Sequence, residues 1–392
     1  MDVPPSPWAT RGLRAARHVV PQRYVIVHGF YGMGNVGDEA ILAATLQSIG
    51  RYTSYEPLVF AWDADRVKAD FGVRSLDPRV SSRAASRAIL QAKAVLLGGG
   101  GLIKDYGGDS SSLFRWMHWL DHAHRLGVAT MTWSVGVGNV VHPASAQRVR
   151  EVLGRIDAVT VRDEESARRL RALGLTRDVT VTSDPVVSLA RTWRGRREKS
   201  ERLRVAVCPR ALLTEADEVT QPEQFDRLLD AFAEVLDHVQ DVHGAHVTGL
   251  ALRTRGKDDD RDVCRRIVER MRGGNQVDLV TTEDPTTEEV LTHLCQADLQ
   301  IGMRLHATIL ATSLGVPSVA VAYLPKVRGY MASLGQEAFC AAPGEAEGAW
   351  MIDRVNAALA DRDRLGDILR RQTDQLAEAY SQNGTLLAGL MA

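Results

Sequence analysis

The stretch Tyr24-Val25-Ile26-Val27-His28-Gly29-Phe30-Tyr31-Gly32-Met33-Gly34-Asn35-Val36-Gly37-Asp38-Glu39-Ala40 decides how this chain folds. Residues 24–29, branched or aromatic up to the closing glycine, read as a buried strand. The glycines that follow permit a tight loop, and residues 38–49 carry apolar side chains at helical spacing. A strand that passes through a glycine loop into a helix is the opening unit of a parallel, Rossmann-like sheet. Working outward, the same alternation predicts strands at 58–62, 94–97, 129–135, 158–161 and 179–182, with helices at 82–92, 112–126, 144–154 and 164–173. Residues 191–204, densely charged and without an apolar face, read as a linker. A second series then begins, with strands expected at 205–208, 246–252, 276–280, 299–302 and 318–322 and helices at 222–243, 259–272, 286–297 and 305–314. The expected fold is α/β, with two Rossmann-like domains (23–190 and 205–346) facing one another across a cleft. Helices over 347–392 are free to pack back on the N-terminal domain. Ligands in such sheets bind beyond the carboxyl ends of the strands.

The composition excludes several function classes. Of 392 residues, 45% are apolar and 25% charged, which is a globular composition and neither a disordered nor a fibrous one. Forty-eight basic against 49 acidic residues leave a net charge of -1, without the broad basic footprint of a nucleic-acid binder. Cys208, Cys264, Cys295 and Cys340 are widely spaced, with no Cys-x-x-Cys pair and no dense disulfide framework, so a reducing cytoplasm fits. The longest apolar runs are about half a membrane span, which needs roughly 20 residues, so any membrane association is peripheral, at the inner face. Residues 1–22 carry Pro4, Pro5, Pro7 and Pro21 with Arg11, Arg14 and Arg17 but no apolar core, and read as a disordered basic leader.

Three loops carry candidate chemistry. In the first, Gly32-x-Gly34-x-x-Gly37 matches a dinucleotide fingerprint, but Asp38 and Glu39 place negative charge where a pyrophosphate would sit. Asn35 and Asp38 therefore suit sugar hydroxyls, with helix capping as the alternative for Asp38. The second loop, Gly98 to Gly101, places four consecutive glycines after a strand, which implies close approach of some group to that backbone. Asp105 beyond it is placed to accept from an acceptor hydroxyl or from loop amides. The third, Leu299 to Ala307, ends a strand at Arg304 and starts a helix with Leu305 and His306. An arginine fork, an imidazole and a helix N-terminus at one spot suit a phosphate or carboxylate. Arg210 and Lys326 follow two other strands of the same half, so three strand-end cations imply a compact polyanion. His118 and His122 stand i, i+4, yet without a His-Glu-x-x-His arrangement they read as a helix surface. No Walker loop and no nucleophile elbow is present, and no Asp-x-Asp triplet reads as a metal motif.

These motifs together resemble the polysaccharide pyruvyl transferase family. The resemblance lies in Gly34-Asn35-x-Gly37-Asp38-Glu39-Ala40, Gly98 to Leu102 with Asp105, Asp184-Pro185, Arg304-Leu305-His306-Ala307, Gly315-Val316-Pro317 and Tyr323-x-Pro325-Lys326-Val327. It implies a GT-B-like fold and transfer of the pyruvyl group of phosphoenolpyruvate to saccharide hydroxyls, closing a ketal and releasing phosphate. The implied partners are phosphoenolpyruvate as donor and a glycan or glycoside acceptor, lipid-linked sugars included, with no metal and no other cofactor. Arg210, Arg304, Leu305 and His306 match the family's donor-holding positions. His306 is then the expected general acid at the methylene carbon, or else the residue that protonates the departing phosphate, and Asp38 is the expected base, with Lys326, Asn35 and Asp105 binding substrate. Gly136-Val137-Gly138-Asn139 departs from the family's glycine-proline ending there. Two rivals stay open: a nucleotide-sugar glycosyltransferase, which would share the two-domain cleft, and a non-catalytic sugar-binding protein, which would keep the first two glycine loops but have no use for Arg210, Arg304 and His306 together.

Overall fold

The structure is a computed structural model and describes residues 17, 20–105, 109–211, 222–256, 259–273, 277–280 and 285–392, so most of the 1–22 leader lies outside the described residues. The chain forms two compact units. The first takes residues through Met33, Ile41–Pro185 and Leu376–Ala392; the second takes Gly34–Ala40 and Val186–Gln375.

The first unit holds β1 (Tyr24–His28), β2 (Glu56–Phe60), β3 (Arg74–Leu76), β4 (Ala92–Leu97), β5 (Gly100–Ile103), β6 (Ala129–Thr132), β7 (Val135–Val137), β8 (Thr160–Val161) and β9 (Thr180–Val181). They make two parallel sheets, ordered β3-β2-β1-β4-β6 and β5-β7-β8-β9. Ile26 of β1 stands between Leu58 and Val95, and all five residues of β1 are buried. A central parallel strand covered on both faces needs that continuous apolar run, which explains why 24–28 alternate so little.

Two sheets arise where spacing predicts one because two neighbouring strands bend. The expected strand 129–135 is β6 and β7 separated by Trp133 and Ser134, and Ser134 takes φ 53°, rare for a side-chain-bearing residue. Its N–H donates to Thr160 Oγ1 at 2.9 Å and its hydroxyl lies 2.8 Å from that of Thr182, which offsets the strain. Beside it, β4 bends at Gly98-Gly99 and re-emerges as β5 with Gly100 at φ 93°. The expected glycine loop is therefore half strand. A Cβ on Gly98 would collide with the Tyr31 hydroxyl, and one on Gly99 would stand 2.9 Å from Ile41 and 3.2 Å from Pro185. At Gly98 and Gly99 the protein's own side chains make the close approach, whereas a Cβ on Gly101 would meet nothing within 4 Å.

The helix Arg362–Met391 contributes its last turns to the first unit. Tyr380, fully buried, accepts from Trp133 Nε1 at 3.1 Å and from Ser48 at 3.0 Å, while Asn383 Nδ2 donates to Ser134 at 2.9 Å.

The second unit is built on one parallel sheet, ordered β12-β11-β10-β13-β14-β15, from β10 (Arg204–Cys208), β11 (His246–Leu250), β12 (Val277–Val280), β13 (Leu299–Gly302), β14 (Ser318–Val321) and β15 (Cys340–Ala341). Its helices include Pro222–His243, Asp260–Val268 and Leu305–Leu314. The last is buried almost all round, which explains its lack of a polar face. The charged segment 191–204 lies within this unit: Arg194 donates to Ser313 O at 2.6 Å, to Asp374 at 2.8 Å and to Thr373 at 2.8 Å, and Arg197 pairs with Asp298. No helix of the described residues is long and apolar enough to cross a membrane.

Candidate active site

The strongest concentration of chemistry lies at the carboxyl edge of the second sheet. β10, β13 and β14 are adjacent and parallel, so the residues that follow them emerge side by side: Arg210 after β10, Arg304 after β13, and Tyr323 and Lys326 after β14. Gly302 makes the first two close neighbours. A Cβ there would stand 2.5 Å from the Cys208 carbonyl oxygen, which instead accepts from Met303 N at 2.9 Å.

Arg304 and Arg210 are both buried. Arg304 Nε and Nη2 donate to the Asp260 carboxylate at 2.9 and 2.5 Å, a two-pronged pair that fixes the plane of the guanidinium. Asp260 is fully buried and also accepts from Leu252 N at 3.1 Å and Arg253 N at 3.0 Å. Burial pushes its carboxyl above the ordinary value, against the pull of Arg304. Arg210 donates from Nε to Ala211 O at 2.9 Å and lays its guanidinium carbon 4.1 Å from the centroid of the Tyr323 ring, with Lys326 Nζ at 5.8 Å from the same ring. Burial drives the Tyr323 phenol upward, but Lys326, Arg210 and Arg304 outweigh it and hold it at about 8, two below its usual 10. That depression reads out a positive potential made by three strand ends together.

The first glycine loop belongs to this site. Gly34–Ala40 groups with the second unit, Val36 N donates to Leu252 O at 2.9 Å, and Asn35 bridges Arg253 in antiparallel fashion. Asp260 thus holds at once Arg304 and the segment on which the loop rests. His306, on the first turn of Leu305–Leu314, sits against Gly37 so closely that any Cβ at 37 would overlap its imidazole. The last glycine of the fingerprint is there to admit that ring. Leu305 is buried beneath the same turn.

Asn35 caps the helix Val36–Tyr52: its Oδ1 accepts from Gly37 N at 3.2 Å and its Nδ2 donates to Asp38 Oδ2 at 2.6 Å. The capping expected of Asp38 is performed by Asn35, and the helix starts two residues before the expected 38. Asp105 lies in the first unit. Its carboxylate accepts from Val141 N at 2.8 Å, His142 N at 3.0 Å and Ser145 Oγ at 2.7 Å, bracing the start of the helix Pro143–Leu153. His118 and His122 stack on each other with centroids 6.2 Å apart, and among the described residues no group of three or more His, Cys, Asp or Glu is placed to hold a metal ion.

Asp260 escapes a reading by sequence, and Tyr323, though part of the Tyr323-x-Pro325-Lys326-Val327 motif, is given no role by it. Asp260 hides in the run Asp258-Asp259-Asp260 at a helix start, where capping explains every acid equally well. Tyr323 stands three residues before Lys326, and that spacing after a strand was the available signal.

Known proteins support this architecture. UDP-GlcNAc 2-epimerase from Neisseria meningitidis bound to UDP-GlcNAc superposes with TM-score 0.61 at 11% identity, over 93% of this chain and 99% of that one. The MnaA–UDP structure from S. aureus gives 0.56 at 12% over 90% and 91%, and a glycosyltransferase from Rickettsia africae gives 0.56 at 10% over 94% and 96%. At such identities the likeness shows the fold alone: α/β, with parallel sheets in two Rossmann-like units, as in GT-B proteins. No curated protein matches the sequence. The sequence pattern described as "Polysaccharide pyruvyl transferase" matches residues 35–325, which runs from the first glycine loop to the proline before Lys326. The chain belongs to the polysaccharide pyruvyl transferase family.

Proposed function

We propose that this transferase moves the pyruvyl group of phosphoenolpyruvate onto two hydroxyls of a saccharide, forming a ketal and releasing phosphate. The observation that carries the reading is the convergence of Arg210, Arg304 and Lys326 on one phenol at the edge of the second sheet. Phosphoenolpyruvate is a small trianion, and a set of strand-end cations of this kind suits its carboxylate and phosphate together. Leu305 backs the donor.

His306, beside the glycine loop, is the general acid that protonates the methylene carbon, leaving C2 open to attack. Asp38, in the same loop, takes the proton of the attacking hydroxyl, with Asn35 holding its carboxylate. The acceptor is a glycan or glycoside. The chemistry calls for no metal or other cofactor. The chain acts in the cytoplasm.

A second reading is a nucleotide-sugar transferase, favoured by the fold likeness to proteins solved with UDP or UDP-GlcNAc. Thermal protection decides between them: phosphoenolpyruvate should raise the melting midpoint and UDP should not. The reverse result overturns the proposal, and phosphate release from phosphoenolpyruvate with a panel of glycosides then identifies the acceptor.

A further inference from the structure

We propose that Tyr323 is the second proton donor of this site, giving its phenolic proton to the phosphate as it leaves C2 and recovering one from the hydroxyl that closes the ketal. The inference rests on the pyruvyl-transfer reading and deepens it.

Proton balance calls for two donors. The reaction forms one C–H bond at the methylene carbon and two C–O bonds at C2, and it breaks the C2–O bond to phosphate. Two hydroxyl protons are released; one equivalent ends on carbon and one on the phosphate oxygen. His306 serves the carbon. The group serving the oxygen must lie among the cations that hold the phosphate, must carry an O–H or N–H, and must exchange it near neutral pH. Arg210 and Arg304 never deprotonate in a protein. Tyr323 meets all three conditions: its ring lies 4.1 Å from the Arg210 guanidinium carbon and 5.8 Å from Lys326 Nζ, and it is only 9% exposed.

The charged groups facing the phenol are Lys326 from the helix Pro325–Ser333, Arg210 from the end of β10, and Arg304, paired to Asp260, from the end of β13. Together they bring the phenol to about 8, within reach of proton transfer to a departing phosphate. In the step itself the phenolic O–H breaks and its proton goes to the phosphate oxygen as that oxygen takes the C2–O electron pair. The second hydroxyl oxygen then bonds to C2, and its proton restores the phenol.

The test needs no acceptor. Inorganic phosphate and phosphoenolpyruvate are each titrated calorimetrically into the full chain and into Tyr323→Phe between pH 7 and 9.5. Phenylalanine keeps the ring under Arg210 and removes only the O–H. In the wild type, affinity should fall about tenfold per pH unit above 8, because a phenolate beside a bound anion must first be reprotonated. Tyr323→Phe should lose that slope. Equal slopes in the two proteins, or binding of neither anion, would overturn the proposal. Phosphate binding with the Tyr323-dependent slope but no binding of phosphoenolpyruvate sinks the pyruvyl reading and leaves Tyr323 as a donor to bound phosphate. Should Tyr323→Phe fail to fold, phenolate absorbance of the wild type decides: a tyrosine titrating near 8 must move upward when phosphate is added, and an unmoved titration overturns the inference.

Discussion

Arg304 has two partners to satisfy, Asp260 and the proposed donor, and a single truncation confuses them. Arg304→Ala leaves a fully buried carboxylate without its cation, which costs about 3–5 kcal/mol of stability. The charge-free double variant Arg304→Met/Asp260→Leu removes both ions at similar volume. It should recover most of that loss in urea unfolding, because replacing a buried ion pair by apolar groups is often close to neutral. It should still fail to bind inorganic phosphate. Wild-type phosphate affinity in the double variant would confine Arg304 to a structural role. His306 offers a comparable separation. His306→Ala should lower turnover by on the order of 100-fold, the usual size of a general-acid effect. Gly37→Ala, which leaves the imidazole intact but evicts it from its place, should lower turnover comparably. The pair combined should be no worse than either alone, since both remove one positioned ring. A fully additive double loss would place the two residues in separate roles.

At the scale of elements, the helix Val36–Tyr52 depends on one side chain at its start. Asn35→Ala removes the acceptor of the Gly37 amide and the donor to Asp38, and should cost about 1 kcal/mol in the urea midpoint. Asn35→Asp preserves the cap but sets two carboxylates together. It should therefore keep the stability of the cap more fully than it keeps turnover, and equal losses in both would remove Asp38 from the chemistry. The elements themselves were largely legible in the sequence. Strand 299–302 and helices 222–243 and 305–314 fall on their expected bounds because buried apolar runs and clear stops delimit them. The bend at Ser134 was not legible, since nothing in Ala129–Val135 forbids a straight strand and the partners that hold φ positive, Thr160 and Thr182, come from elsewhere in the chain. The short strand β3 and the helix Ala64–Phe71 were missed for a related reason. Three or eight residues give too few turns of either period to stand above the surrounding polar sequence. Of the candidate site, Arg210, Arg304, Lys326 and His306 were legible because strand ends in parallel sheets share an edge. Asp260 and the regrouping of Gly34–Ala40 depend on tertiary contacts that no local pattern encodes.

Across the whole molecule, acid should weaken the two units unequally. His28, at the end of β1, is buried against Phe60 and Trp116, and burial above all lowers it from 6.5 to about 3, with Arg115 and His118 adding to the effect. His122 is lowered to about 4 by burial and by its stacked neighbour His118. Both lie in the first unit and stay neutral in the fold while the unfolded chain takes up protons below 6.5. Stability therefore falls as pH drops from 6.5 toward 4, by roughly 1.4 kcal/mol per pH unit for each such histidine. Asp121, held below the ordinary carboxylate range by Arg125 and Arg148 despite its burial, adds a loss of the same sign at still lower pH. In the second unit His293, lowered by burial but only half enclosed, gives a weaker form of the same loss. Asp260 runs the other way. Its carboxyl is raised by burial, so the fold binds its proton more readily than the unfolded chain does, and acid relieves part of the cost of burying it. The imbalance should appear in hydrogen exchange between pH 7 and 4.5 as faster opening of β1, β2 and β4 than of β10 and β13. His28→Phe, which fills the same aromatic pocket without a titrating ring, should flatten the acid slope of the first unit by about one proton and leave β10 and β13 unchanged. An acid slope identical to that of the wild type would mean that His28 escapes its pocket before it titrates.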